Sequence, residues 1–205
     1  MSFLKTNTAI GLALGLTLAT SANANLIING GFEKEAVSDG SWRYFLSSAV
    51  DGWEGDNIEI WDDLNHVSAY EGEQHAELNA HPSDGTTFSI FQDFQTVANQ
   101  AYSVSFAYRA RRSNDEAFQF DLTSGSSSLL SELITDHTTS EWSVFNANFI
   151  GTGDTTRLMF TSVAPASGTI GNFLDAVSVN VPEPGSLALL GLGLVGLGFT
   201  RKNSK

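Results

Sequence analysis

Residues 25–180 predict an all-β fold, a single β-sandwich of the jelly-roll kind, on three observations. Apolar residues recur with period two, turn-forming residues interrupt them at short intervals, and no window carries a sustained helical stripe with caps. Ala76, Leu78 and Ala80 alternate with His75, Glu77 and Asn79. Phe88, Ile90 and Phe94 alternate with Ser89, Asp93 and Gln95, with Phe91 breaking the pattern. Tyr102, Val104, Phe106 and Tyr108 share one face of the clearest strand, which continues to Arg109 and Arg111. Phe118 to Leu122, Leu158 to Phe160 and Leu174 to Val179 read the same way. Between them lie Asp39-Gly40, Asp51-Gly52, Glu71-Gly72, Ser83-Asp84-Gly85, Gly125 and Gly151-Thr152-Gly153. Many short strands at turn spacing in one domain favour a sandwich over a βαβ fold.

The two ends read differently. Lys5 precedes a charge-free apolar run from Ala9 to Ala19, and Ala22 and Ala24 supply the small residues of an A-x-A cleavage site. The run is shorter than the roughly 20 residues needed to span a bilayer, so residues 1–24 read as a signal peptide cut by signal peptidase after Ala24. At the other end, residues 181–205 begin Val181-Pro182-Glu183-Pro184, run uncharged from Leu187 to Phe199, and close on Arg201, Lys202 and Lys205. A helix of about 15 apolar residues covers roughly 22 Å of a hydrocarbon core of about 30 Å, a marginal transmembrane helix suited to transient anchoring in the inner membrane. The basic end stays in the cytoplasm and places the domain outside. Gly191, Gly193 and Gly196 match a dinucleotide-binding spacing, but the chain stops before the acidic partner that motif needs.

Of the 23 acidic residues 22 lie in residues 25–180, against six of the ten basic ones. Such a domain repels nucleic acid and anionic membrane surfaces. With no cysteine, an exported fold relies on core packing or a bound metal.

Pro182-Glu183-Pro184, the Gly/Leu-rich run and Arg201-Lys202 resemble the PEP-CTERM sorting signal, which implies an exosortase as partner and processing near the Pro-Glu-Pro lead. The chain between the two ends resembles galactose-binding-like jelly rolls, including carbohydrate-binding modules. The likeness rests on Asn25-Leu-Ile-Ile-Asn29-Gly30-Gly31-Phe32-Glu33, on Gln92 to Thr96, on Glu141-Trp142 and on Phe173-Leu174-Asp175-Ala176-Val177. That resemblance implies a structural calcium ion between the first and last strands, with Glu33 and Asp175 as side-chain ligands and backbone carbonyls completing the shell. Calcium takes six to eight oxygens and favours carboxylates, and its binding adds folding stability.

Carbohydrate sites combine an aromatic platform with polar side chains that hold hydroxyls. Trp61 supplies the platform, and His75, Glu77, Asn79, Arg109 and Arg111 supply the grip, provided the two strands that carry them are neighbours with one concave polar surface. No G-x-S-x-G or H-E-x-x-H motif is present, so the chain is not expected to be an enzyme. The expected role is exopolysaccharide binding at the cell surface or in the extracellular matrix. A structural biofilm-matrix protein without a small ligand is the alternative, and a glycoside hydrolase the third.

Overall fold

The computed structural model describes residues 25–82 and 85–182. The expected signal peptide and the apolar run 187–199 lie outside the described residues. Among the described residues no helix is long and apolar enough to cross a membrane.

Among the described residues eleven strands form two antiparallel sheets: β1 (Ser41–Phe45), β2 (Glu54–Gly55), β3 (Ile58–Asp62), β4 (Gln74–Glu77), β5 (Ser89–Gln95), β6 (Ala101–Arg109), β7 (Ala117–Ser124), β8 (Ser127–Ile134), β9 (Ser143–Ile150), β10 (Thr155–Ala164) and β11 (Phe173–Asn180). One sheet has the order β1-β3-β4-β11-β6-β9 and the other β2-β5-β10-β7-β8. The all-β sandwich expected from the period-two pattern is what forms.

The apolar residues of each alternating row meet between the sheets. Val104, Phe106 and Tyr108 of β6 face Phe118, Phe120 and Leu122 of β7 and Leu158 and Phe160 of β10 across one buried core. Phe106 sits at its centre. Its ring centroid lies 4.9 Å from those of Phe145 and Phe160 and 5.0 Å from that of Phe120, tilted or edge-on except against Phe145. These separations suit aromatic pairs.

The segment before β1 is clipped to the last strand. Leu26 N donates to Val179 O at 2.9 Å, Val177 N to Gly30 O at 2.9 Å, and Val179 N to Asn25 Oδ1 at 2.9 Å. Gly30 is required at this crossing, since a Cβ there would stand 1.9 Å from Val177 O. Buried Gln92 then ties the segment to the second sheet, exchanging hydrogen bonds with Ile28 N and O at 2.6 and 3.0 Å.

Candidate functional site

The outer face of the six-stranded sheet carries a row of side chains set by strand register. Tyr44 pairs with Glu59, Glu59 with Glu77, Glu77 with Phe173, and Phe173 with Arg109. Beside it runs a second row, Trp42 with Trp61 and Trp61 with His75. The sequence expectation of one shared surface depended on the strands bearing His75 and Arg109 being neighbours. The structure places β11 between them, so Phe173 separates the acidic and basic ends of the row.

Burial is the larger departure. Residues alternating with core positions read as a solvated face, yet Glu59, Trp61, His75, Glu77 and Phe173 are all buried. Loops at the sheet end cover them. The Trp142 ring lies 5.4 Å from His75 and 6.4 Å from Phe173, with Tyr70 a further 6.4 Å away, and Trp142 Nε1 donates to Ser68 O at 3.0 Å. Arg111 lies 4.6 Å above the Trp61 ring and donates to Glu77 Oε1 at 2.6 Å and to Thr169 O at 3.0 Å. Trp61 is therefore no open platform, and its Nε1 is spent on Glu59 at 2.8 Å. Asn79 leaves the row altogether. β4 ends at Glu77, Asn79 turns to φ +67°, and its buried amide donates to Pro165 O at 3.0 Å and accepts from Ser162 Oγ.

The electrostatics follow from this burial. Desolvation, helped by the nearby Arg109 charge and only partly opposed by Asp63, lowers the His75 pKa to about 3, so the ring is neutral. Desolvation raises Glu77 to about 9 against the pull of Arg111, with Glu59 adding to the rise. Polar groups this deep normally find partners. Among the described residues five buried side-chain polar atoms have none, and four of them lie on this face: both His75 ring nitrogens, Glu77 Oε2 and Arg109 Nε.

At the edge of the same face the aromatic surface opens. Trp42 and Tyr44 of β1 are each 42% exposed, and His81 lies 6.4 and 5.7 Å from their rings. Sequence reasoning missed Tyr44 and did not choose Trp42. The alternation in Ser41-Trp-Arg-Tyr-Phe45 was the available clue, since it sets both rings on one side of an edge strand.

Glu33 and Asp175 come together beside the clipped N-terminal segment. Buried Asp175 accepts hydrogen bonds at Oδ2 from Tyr70 N and Glu71 N, 2.8 and 3.0 Å, and at Oδ1 from Ala176 N, 2.6 Å. Exposed Glu33 accepts at Oε1 from Glu73 N and Gln74 N, 2.8 and 2.9 Å. A cavity of about 430 Å3 beside Glu33 is lined by Asn25, Gly31, Glu33, Glu71, Gly72 and Ala176 among others. Burial raises the Asp175 pKa to about 7; its three backbone donors pull it back, and the Glu33 charge adds to the rise. Among the described residues no group of three or more His, Asp or Glu side chains could hold a metal ion. The two carboxylates are hard oxygen donors of the kind calcium takes, and each already accepts backbone N–H bonds.

Comparison with solved structures gives the same architecture. The arabinose-bound α-L-arabinofuranosidase MgGH51 aligns with 79% of this chain and 27% of its own length, at 17% identity and a TM-score of 0.54. TmCBM61 in complex with β-1,4-galactotriose aligns with 76% of this chain and 97% of its own, at 16% identity and a TM-score of 0.49. The CBM22-1 xylan-binding domain of Paenibacillus barcinonensis Xyn10C aligns with 81% and 99%, at 13% identity and a TM-score of 0.44. No curated protein sequence matches the chain. A family model, the PEP-CTERM protein-sorting motif, matches residues 180–202, the stretch that carries Pro182-Glu183-Pro184, Arg201 and Lys202. The chain is an all-β sandwich that carries a PEP-CTERM sorting motif and, by that motif, is an exported protein with a C-terminal sorting signal.

Proposed function

We propose that this is a carbohydrate-binding module, sorted and processed by an exosortase and working on exopolysaccharide at the cell surface or in the extracellular matrix. The observation that carries the reading is the gathering of four unpartnered buried polar atoms on one sheet face, beside exposed Trp42 and Tyr44. Sugar hydroxyls both donate and accept, so one ligand satisfies a neutral imidazole, a carboxyl and a guanidinium together. The exposed rings offer apolar faces to the axial C–H groups of a pyranose. Trp142 has to shift for the ligand to reach His75, and the reading assigns that movement to binding.

The test is affinity electrophoresis of the full-length protein in mild detergent through gels containing the host exopolysaccharide. Trp42→Ala is expected to weaken binding by about tenfold, the worth of one good ring contact. Tyr44→Ala should act in the same direction. Retardation by the polysaccharide that neither variant alters would remove β1 from the site. One observation favours the second reading, a structural matrix protein without a small ligand. The central part of the face is filled by the chain's own Trp142 and Arg111. Absence of retardation on any glycan would select it. The hydrolase reading gains nothing from the opposed Glu59 and Glu77. Glu59 is held by Trp61 Nε1 and His81 N, and Glu77 by Arg111 and Gly171 N.

Glu33 and Asp175 are proposed to hold a structural calcium ion, whose chemistry there is to neutralise buried negative charge and cross-link the first and last segments. The pH dependence of stability tests this. The Asp175 pKa rises from 3.8 unfolded to about 7 folded, so between those values the folded chain keeps a proton the unfolded chain has lost. Its contribution to stability therefore falls as pH rises from about 4 to 7, by up to about 1.4 kcal/mol per pH unit. His75 acts oppositely, gaining stability between pH 3 and 6.5, so the Asp175 effect is read against Asp175→Asn. In EDTA the melting temperature of the parent should fall toward pH 7 relative to that variant. Millimolar calcium should cancel the difference, and a melting curve indifferent to calcium at pH 7.5 would rule the ion out.

A further inference from the structure

Three cations of the described residues, Arg43, Arg109 and Arg112, belong to no ion pair, and of these only Arg109 has a buried donor without an acceptor. The ion pairs among the described residues join Lys34 to Asp51, Arg111 to Glu77 and Arg157 to Asp93, and none includes Arg109. A shortage of carboxylates is not the cause, since the chain has 23 acidic residues and ten basic ones. Nor is Arg109 left in open solvent. It is half-buried, its Nη2 donates to Thr139 O at 2.6 Å, and its Nε is buried with no acceptor.

Arg157 shows what the same edge of a guanidinium takes when it is satisfied. There Nε and Nη2 donate to the two oxygens of Asp93, each at 2.8 Å. Two parallel charge-assisted bonds of this kind are strong and geometrically selective for a planar two-oxygen anion. Arg109 lacks that anion, and the fold holds it at one end of a row otherwise suited to hydroxyls. Across β11, Arg111 already has partners, since it donates to Glu77 and lies over the Trp61 ring. An uncharged sugar would leave Arg109 uncompensated, whereas an acidic sugar would complete it.

We infer that the site takes an acidic polysaccharide, with the carboxylate of a uronic-acid unit seated on Arg109 and hydroxyls of the same chain meeting His75 and Glu77. This rests on the carbohydrate-binding reading and narrows it to a ligand class. The chain's net charge of −13 opposes a polyanion at long range, so recognition has to be local. At 0.15 M salt the Debye length of about 8 Å screens the distant charges and leaves a contact pair largely intact.

The experiment compares oligogalacturonate, oligoglucuronate and oligomannuronate with their methyl esters and with a sulfated neutral oligosaccharide, titrated calorimetrically into the full-length protein in mild detergent at 0.15 M salt. At least one uronate should bind about tenfold more tightly than its own ester. Arg109→Gln should erase that margin, so that the variant binds acid and ester equally, and Arg109→Lys should restore part of it as a point charge without the fork. Equal affinity for acid and ester, with binding retained, overturns the acidic-sugar inference and leaves the carbohydrate-binding reading standing. A sulfated ligand that outbinds every uronate replaces the carboxylate by a sulfate ester and overturns the assignment as stated. No binding to any member of the panel or to neutral glycans removes both readings.

Discussion

Phe106→Ala is expected to lower the unfolding free energy by about 3–5 kcal/mol, the usual cost of deleting a fully buried ring. The size follows from position. Phe106 is completely buried and contacts rings from both sheets, with Phe145 on its own sheet and Phe118, Phe120 and Phe160 on the facing one. Its loss leaves a cavity that neither sheet can collapse into, because the neighbours are held by ladder hydrogen bonds on both sides. For a domain of this size the melting temperature should drop by roughly 10 °C. No disulfide restrains the chain, so nothing outside the core offsets the loss. Phe106→Leu should recover more than half of it, and a drop below about 1 kcal/mol for the alanine variant would mean that the two sheets do not pack through this ring.

Glu77→Ala is the second large effect, about 3 kcal/mol, and it depends on pH. The carboxyl accepts from Arg111 Nη1 at 2.6 Å and from Gly171 N at 2.7 Å, and its removal leaves a partly buried guanidinium and a buried amide without their acceptor. Arg111 is 24% exposed, which puts the cost at the lower end of the range for broken buried pairs. Because burial raises the Glu77 pKa from 4.5 to about 9, the folded chain retains a proton through that interval and the unfolded chain does not. The carboxyl's contribution is complete below pH 4.5 and declines as pH rises to 9. Glu77→Gln keeps an acceptor for both donors and cannot ionise. It should therefore flatten the fall in stability between pH 5 and 9, which denaturant titration at several pH values reads directly. Parallel pH profiles for parent and Gln variant would show that the buried carboxyl is ionised throughout.

The contrast between these two residues marks what was legible in the sequence. Phe106 belongs to a strand whose alternation is unbroken from Tyr102 to Tyr108, and local pattern suffices to put it in a core. Glu77 shares the same kind of alternation, and the pattern predicted a solvated face. It is bonded by segments remote in sequence, Arg111 after β6 and Gly171 before β11, while Trp142 ahead of β9 lies against its neighbour His75. Period-two reading reports which side of a sheet a residue faces and carries no information on what covers that side. Sheet order is invisible for the same reason. The insertion of β11 between β4 and β6 joins segments far apart in the chain, and nothing in either segment names its neighbour. The alternation of Phe145, Ala147 and Phe149 in β9 adds a strand that the sequence expectation did not include. The approach of Glu33 to Asp175 was visible only through resemblance, since spacing along the chain could not bring the two ends together.

The clip between the first segment and β11 also decides how the domain carries load. β11 runs from Phe173, in the candidate site, to Asn180, where the sorting motif begins, a length of about 25 Å. Tension between a polymer held at one end and an attachment at the other would run along this single strand. It is flanked by β4 and β6 and laced near its end to Leu26 and Asn25. Hydrogen bonds perpendicular to such a pull would have to shear together instead of unzipping in turn.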